Sequence, residues 1–91
     1  MISSFRNRGL QRLWNKGEAA KMQPDLVGRV KLRLEALHAA RRPRDMNLPG
    51  FDFHRLHGKP VRYTVHVNGP WCVTFGWEGE DAIQVDLEQY H

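Results

Sequence analysis

Hydrophobic and polar residues alternate through the last third of the chain. The odd-numbered positions Val61, Tyr63, Val65, Val67, Trp71, Val73, Phe75, Trp77, Ile83, Val85 and Leu87 are apolar. The even positions between them carry Arg62, Thr64, His66, Cys72, Thr74, Gln84, Asp86 and Glu88. A period of two is the mark of a sheet with one face on a core and the other turned to solvent. The pattern predicts strands near 51–56, 61–67, 71–77 and 82–88, with the odd-numbered face buried and the even-numbered face left for chemistry. Turn residues fall at the joints: Gly58-Lys59-Pro60, Asn68-Gly69 and Glu78-Gly79-Glu80-Asp81. Asn-Gly suits a two-residue hairpin because both residues tolerate positive φ. Consecutive hairpins make a four-stranded antiparallel meander.

Ahead of the sheet the spacing becomes helical. Met1–Ser4 reads as a short edge strand with Ile2 inward, and Ser3 or Ser4 as the cap of a first helix at about 5–16. Phe5, Leu10, Leu13 and Trp14 form its apolar stripe, and Lys16-Gly17 its stop. Pro24-Asp25 opens a second helix running to about Ala40. Its stripe is Leu26, Val27, Val30, Leu34 and Leu37, with Arg29, Lys31 and Arg33 off it. Arg41-Arg42-Pro43-Arg44-Asp45 breaks this helix, and Pro49-Gly50 turns the chain into the sheet. Two helices laid on the odd-numbered face of a meander make an α+β fold. At 91 residues, one domain spans 1–91.

Composition adds little until charge is mapped. A hydrophobic content of 41% beside 26% charged residues is ordinary for a globular domain. No apolar run approaches the roughly 20 residues of a membrane span, and Ile2–Leu10 is too polar for a leader. One cysteine forms no internal disulfide, so a cytoplasmic location is expected, with no membrane partner. All 14 lysines and arginines lie before residue 63, beside five acids, whereas residues 63–91 hold five acids and no lysine or arginine. That asymmetry points to a polyanion, most simply nucleic acid, although solvated helix faces would carry the same charges. No helix-turn-helix pattern supports direct DNA binding.

Parity collects the candidate chemistry. His54, Arg62, Thr64, His66, Cys72 and Thr74 share the even-numbered face, His57 and Lys59 sit in the turn at its edge, and Tyr90 and His91 follow the last strand. Imidazoles move protons near neutral pH, and a neighbouring cation holds charge developing on phosphorus. This combination suits RNA cleavage by the adjacent 2′-hydroxyl without a cofactor. Taken singly, His54 is as readily a surface residue and Cys72 a small hydrophobe. Trp71, Phe75 and Trp77 are odd-numbered and read as core. His54, His66 and Cys72 lack zinc-ligand spacing, so no metal is expected.

Several segments in series resemble one family. Ile2-Ser3-Ser4-Phe5-Arg6-Asn7-Arg8-Gly9-Leu10 is similar to the I-x-S-F-x-x-x-G-L opening of HigB-type toxins, the plasmid-maintenance killer proteins of the RelE superfamily. Asp45-Met46-Asn47-Leu48-Pro49-Gly50-Phe51, His54-x-Leu56-x-Gly58, Trp71-x-Val73-Thr74-Phe75 and the terminal Tyr90-His91 continue it. The resemblance covers nearly the whole chain. It implies a RelE-like fold and a toxin of a type II toxin-antitoxin system that enters the 70S ribosomal A site and cuts mRNA there. It also implies a HigA-type helix-turn-helix antitoxin, through which alone operator DNA would be met. Carried over by position, His54, Tyr90 and His91 are the expected catalytic residues, and His57, from its place in the turn at the edge of that face, is expected to join them. Arg55, Lys59, Arg62, Arg6, Arg8 and Arg12 are expected to hold phosphate and ribosomal RNA. Four positions depart from the family pattern. Arg55 and His57 stand in the H-P-L-K-G segment for proline and lysine, Cys72 for an arginine, and Gln89 for the aspartate before Tyr-His. Cys72 and Gln89 favour the alternative, an attenuated or non-catalytic relative that binds RNA and antitoxin.

Overall fold

The computed structural model describes residues 1–19 and 22–90. Two helices, α1 (Arg8–Lys16) and α2 (Pro24–Ala39), precede four strands: β1 (His54–Arg55), β2 (Tyr63–Asn68), β3 (Trp71–Glu78) and β4 (Asp81–Gln89). The strands pair antiparallel in the order β1-β2-β3-β4, which is the meander expected of the alternation. Leu10 and Leu13 from α1 and Leu26, Val30, Leu34 and Leu37 from α2 pack on Val65, Val67, Val73, Phe75 and Val85. The helices therefore cover the odd-numbered face and leave the even-numbered one bare. Among the described residues no helix is long and apolar enough to cross a membrane.

The first helix starts later than its stripe predicts. Ile2 and Phe5 form parallel bridges to Ala82 and Val85 on the outer edge of β4. Ser3 N–H donates to the Ala82 carbonyl (2.9 Å), Val85 N–H to the Ser4 carbonyl (3.1 Å) and Arg6 N–H to the Val85 carbonyl (2.8 Å). With those backbone groups engaged in strand pairing, helix begins only where Asn7 caps it, its Oδ1 accepting from Leu10 N–H at 3.0 Å. Neither serine is the cap, and Phe5 is half-buried from an extended segment. Gly17, at φ 70°, ends the helix with its N–H on the Leu13 carbonyl. Only a residue free of Cβ strain adopts that conformation cheaply.

Arg33 corrects the reading of α2. It is buried at 6% exposure, because position 33 lies three residues after Val30 and four before Leu37, inside the stripe. Its Nε donates to the His66 carbonyl at 3.0 Å, beside the irregularity in β2 between His66 and Asn68. The guanidinium also lies 4.4 Å above the Phe51 ring. A buried charge is tolerated here because it is both hydrogen-bonded and stacked.

Three strand expectations also change. The first strand is two residues long, because Asp52 turns left-handed (φ 47°) and ends the extended run from Phe51. Val61 lies outside β2 and is 37% exposed. In β4 the register shifts: Thr74 opposes Asp86 but Gly76 opposes Ile83, so Gln84 and Val85 both face Phe75. Gln84 takes up the extra residue at φ 49°, as a β-bulge requires. Parity therefore inverts before the bulge. Ala82 points into the core, and Ile83 crosses to the other face, within 3.1 Å of where a Gly76 Cβ would stand.

Candidate active site

Register assembles the even-numbered face row by row. His54 opposes Thr64, Thr64 opposes Thr74 and Thr74 opposes Asp86, and the next row is His66, Cys72 and Glu88. Directly paired residues project to the same side, so these side chains stand on the surface turned away from the helices. His54 and Thr74 are two strand spacings apart, roughly 10 Å.

Arg62 reaches across this surface. Its Nη2 donates to Thr74 Oγ1 at 3.0 Å and to the Gln84 carbonyl at 2.9 Å, so the guanidinium spans β3 and β4. Thr74 in turn donates to Glu88 Oε2 at 2.8 Å, and the Tyr90 hydroxyl donates to that same oxygen at 3.0 Å. Tyr90 is held from its backbone as well, N–H to the Pro70 carbonyl at 2.8 Å. Arg6 approaches Asp86, Nη1 to Oδ2, at 3.9 Å. Thr74 is fully buried under this network although its position is on the solvent-side parity, and Thr64 is buried at 2% exposure. The Thr64 hydroxyl has no hydrogen-bond partner among the described residues.

Electrostatics follow from the packing. Burial, then the like charge of Arg6, lowers the pKa of Arg62, while Glu88 and Asp86 pull it back up. An arginine remains cationic under such pressure. Burial raises the pKa of the Tyr90 phenol, and the hydrogen bond and charge of Glu88 raise it further. Tyr90 is therefore a neutral phenol at physiological pH, a donor and not a base. His54 is exposed, with Nδ1 3.0 Å from the Asp52 carbonyl. A carbonyl only accepts, so Nδ1 carries the proton and Nε2 is the basic nitrogen of the neutral ring.

The structure sorts the residues expected from sequence into groups. His54, Arg62, Tyr90 and Arg6 share one surface, and His57 and Lys59 are exposed in the turn between β1 and β2. Arg55 opposes Tyr63 and so projects to the helix side, away from His54. Arg8 and Arg12 border a groove beside α1 with Trp71, Leu87 and Met22, again on the helix side. His91 lies outside the described residues. His66 holds the β2–β3 hairpin, its Nε2 2.9 Å from the Gly69 carbonyl, and His38 Nδ1 accepts from Ile2 N–H at 3.2 Å. Cys72 is a half-buried free thiol, and among the described residues no three His, Cys, Asp or Glu side chains converge as metal ligands.

Glu88 and Asp86 were not among the residues that sequence singled out, and Thr74 was named only as a member of the even-numbered face. Their even parity places them with Arg62. Only the register shows that one carboxylate serves both Thr74 and Tyr90.

Two comparisons bear on this surface. A family model described as HigB-like toxin, the "RelE-like toxin of type II toxin-antitoxin system HigB", matches residues 3–91. Endoribonuclease HigB of Proteus vulgaris is 32% identical over 92 residues, covering 100% of this chain and 100% of that protein.

Proposed function

The chain belongs to the HigB-like toxins, RelE-like toxins of type II toxin-antitoxin systems, and from that premise we propose that it is an endoribonuclease that cuts mRNA in the ribosomal A site and so halts translation. The observation that carries this reading is the Arg62 guanidinium, held over β3 and β4 on the surface that also bears His54 and Tyr90. The family arginine replaced here by Cys72 would stand in the row of His66 and Glu88. Arg62 places its charge one row away, from a different strand.

The chemistry is transesterification. A base removes the proton of the ribose 2′-hydroxyl, the oxygen bonds to the adjacent phosphorus, and the bond to the 5′-oxygen breaks. The leaving oxygen takes a proton from an acid, giving a 2′,3′-cyclic phosphate and a 5′-hydroxyl. His54, with a basic and outward Nε2, is suited to the first proton transfer. The neutral Tyr90 phenol and His91, next to it in sequence, supply protons at the leaving group. Arg62, with His57 and Lys59 at the edge, neutralises charge on the phosphoryl oxygens. One such preorganised donor is worth about 3 kcal/mol, or roughly a hundredfold in rate. Arg6, Arg8, Arg12 and Arg55 bind ribosomal RNA through phosphates without reading sequence. A HigA-type helix-turn-helix antitoxin is the proposed inhibitor and the only route to operator DNA. The cytoplasm is the proposed location, since that is where translating ribosomes are met.

A second reading is favoured by the same network: Arg62 is already engaged, beside two carboxylates, and Cys72 supplies no charge. In that reading the protein binds RNA and antitoxin without cutting. Induction of the chain alone in bacteria, followed by mapping of mRNA 5′ ends, separates the two. Growth arrest with cuts in translated mRNA, lost in His54→Ala and Arg62→Ala, is the expected result. Normal growth with no new 5′ ends, while antitoxin still binds, establishes the second reading.

A further inference from the structure

The face of the sheet turned away from His54 carries its own constellation of arginine and aromatic side chains. Arg42, Pro43, Arg44, Phe53 and Tyr63 line a shallow cleft of about 320 Å³. Its floor is aromatic. The Phe53 and Tyr63 rings stack 5.7 Å apart at an interplanar angle of 13°, and Tyr63 stacks in turn on the fully buried Phe75. Phe75 supports this floor from below. Its rim is cationic. Arg42 and Arg44 flank Pro43 at the start of the 3₁₀ turn Pro43–Met46, and exposed Arg55 opposes Tyr63 on the same side of the sheet.

The nearest acid in that turn forms an ion pair with Arg42 alone. Asp45 Oδ2 accepts from the backbone N–H groups of Arg41 (3.0 Å) and Arg42 (3.3 Å), and Oδ1 lies 3.6 Å from Arg42 Nε. Its carboxylate closes the turn, leaving Arg44 and Arg55 with no ion pair among the described residues.

We propose that this cleft is a second RNA contact, seating an unpaired base on the Phe53–Tyr63 floor while Arg42, Arg44 and Arg55 hold the flanking phosphates. The proposal rests on the RNA-directed reading above and adds to it a site on the opposite face from the cutting chemistry. Base–aromatic stacking contributes about 1–3 kcal/mol per base and tolerates any sequence. Arginine adds planar stacking and forked donors for phosphate. An acidic peptide would use the rim but has no flat π surface to match the floor. Single-stranded RNA matches both.

The test is fluorescence anisotropy of a labelled twelve-nucleotide oligoadenylate RNA titrated with the whole chain carrying His54→Ala, across a range of KCl. Two further variants are added to it: the triple exchange of Arg42, Arg44 and Arg55 to alanine, and Phe53→Leu. The triple variant, altered only at the rim, is expected to bind at least about tenfold more weakly and to lower the slope of log affinity against log salt by about 2. Phe53→Leu, checked for folding by circular dichroism, is expected to bind about fivefold or more weakly with the salt slope unchanged. Unaltered affinity in the triple variant overturns the proposal. Equal binding of a polyglutamate twelve-mer, lost in the triple variant while Phe53→Leu binds RNA normally, also overturns it, since the cleft is then an acidic-peptide site. Cutting of translated mRNA is assayed separately in the chain with His54 restored. A chain that binds through the cleft but never cuts sinks the enzymatic reading and leaves this one standing.

Discussion

Thr74→Val removes one oxygen from the centre of the candidate site and leaves the volume of the side chain nearly unchanged. The wild-type hydroxyl accepts from Arg62 at 3.0 Å and donates to Glu88 at 2.8 Å. Hydrogen bonds to charged groups contribute about 1.5–3 kcal/mol each, so the two together set an upper bound near 6. The true cost is smaller for a structural reason. Arg62 keeps the Gln84 carbonyl and Glu88 keeps the Tyr90 hydroxyl, and both charged side chains are only half-buried and can rehydrate. A destabilisation of about 1–2 kcal/mol remains, which in a domain of this size lowers the melting temperature by about 4–8 °C per kcal/mol. Thermal unfolding followed by circular dichroism measures it. Because Arg62 loses an anchor but not its charge, the cut rate should fall while RNA affinity holds. Thr64→Val is the internal control: its hydroxyl is buried with no partner among the described residues, so valine there should be neutral or stabilise by up to about 1 kcal/mol. If Thr74→Val melts at or above the parent temperature and cuts equally well, the network holds neither the fold nor the site.

Other outcomes follow from single contacts. Tyr90 is expected to titrate above its usual 10.0 in an ultraviolet pH titration, and Glu88→Gln to bring it down, because the carboxylate is one of the forces raising it. The folded-state pKa being the higher one, the associated stability is complete below the ordinary tyrosine range and is lost as pH rises through the folded value. A Tyr90 titration that ignores Glu88→Gln refutes the assignment. Arg33→Ala strips a bond to the His66 carbonyl and a stack on Phe51, so the urea midpoint should drop by an amount equivalent to about 2–4 kcal/mol. A midpoint equal to the parent's would show the arginine to be a surface residue after all. Asp45 is held below its usual 3.8 chiefly by the Arg41 N–H. Its contribution is present above that value and lost as pH falls through the lower folded one. Asp45→Asn should therefore narrow the gap between urea midpoints at neutral and acid pH, and an unchanged gap counts against the capping role.

Particular residues show where reading the chain succeeds and where it stops. Alternation of Val65, Val67, Val73, Phe75 and Val85 identified the buried face because a pleat turns every second side chain the same way, whatever the partner strand. Asn68-Gly69 marked its hairpin for an equally local reason. Arg33 escaped because charge was allowed to override spacing, when the spacing already placed it beside Val30 and Leu37. Ile83 escaped for another reason: a bulge at Gln84 inverts parity, and no local signal in Gln84 announces a left-handed conformation. The late start of α1 depended on the edge of β4, some 80 residues away, competing for the backbone of Ile2 to Arg6.

The same division runs through the function. Local pattern by itself determined an α+β chain with helices on one face of a meander, a basic first part, and His54, Arg62 and Tyr90 as polar residues available to the other face. Periodicity and charge are properties of neighbours in the chain, so they survive without a fold. Tertiary structure decided that Arg62 spans two strands to Thr74 and Gln84, that Glu88 ties Tyr90 to that pair, and that Arg55, Arg8 and Arg12 face away. Those outcomes depend on strand register and on one inserted residue in β4, because each fixes which distant side chains share a row.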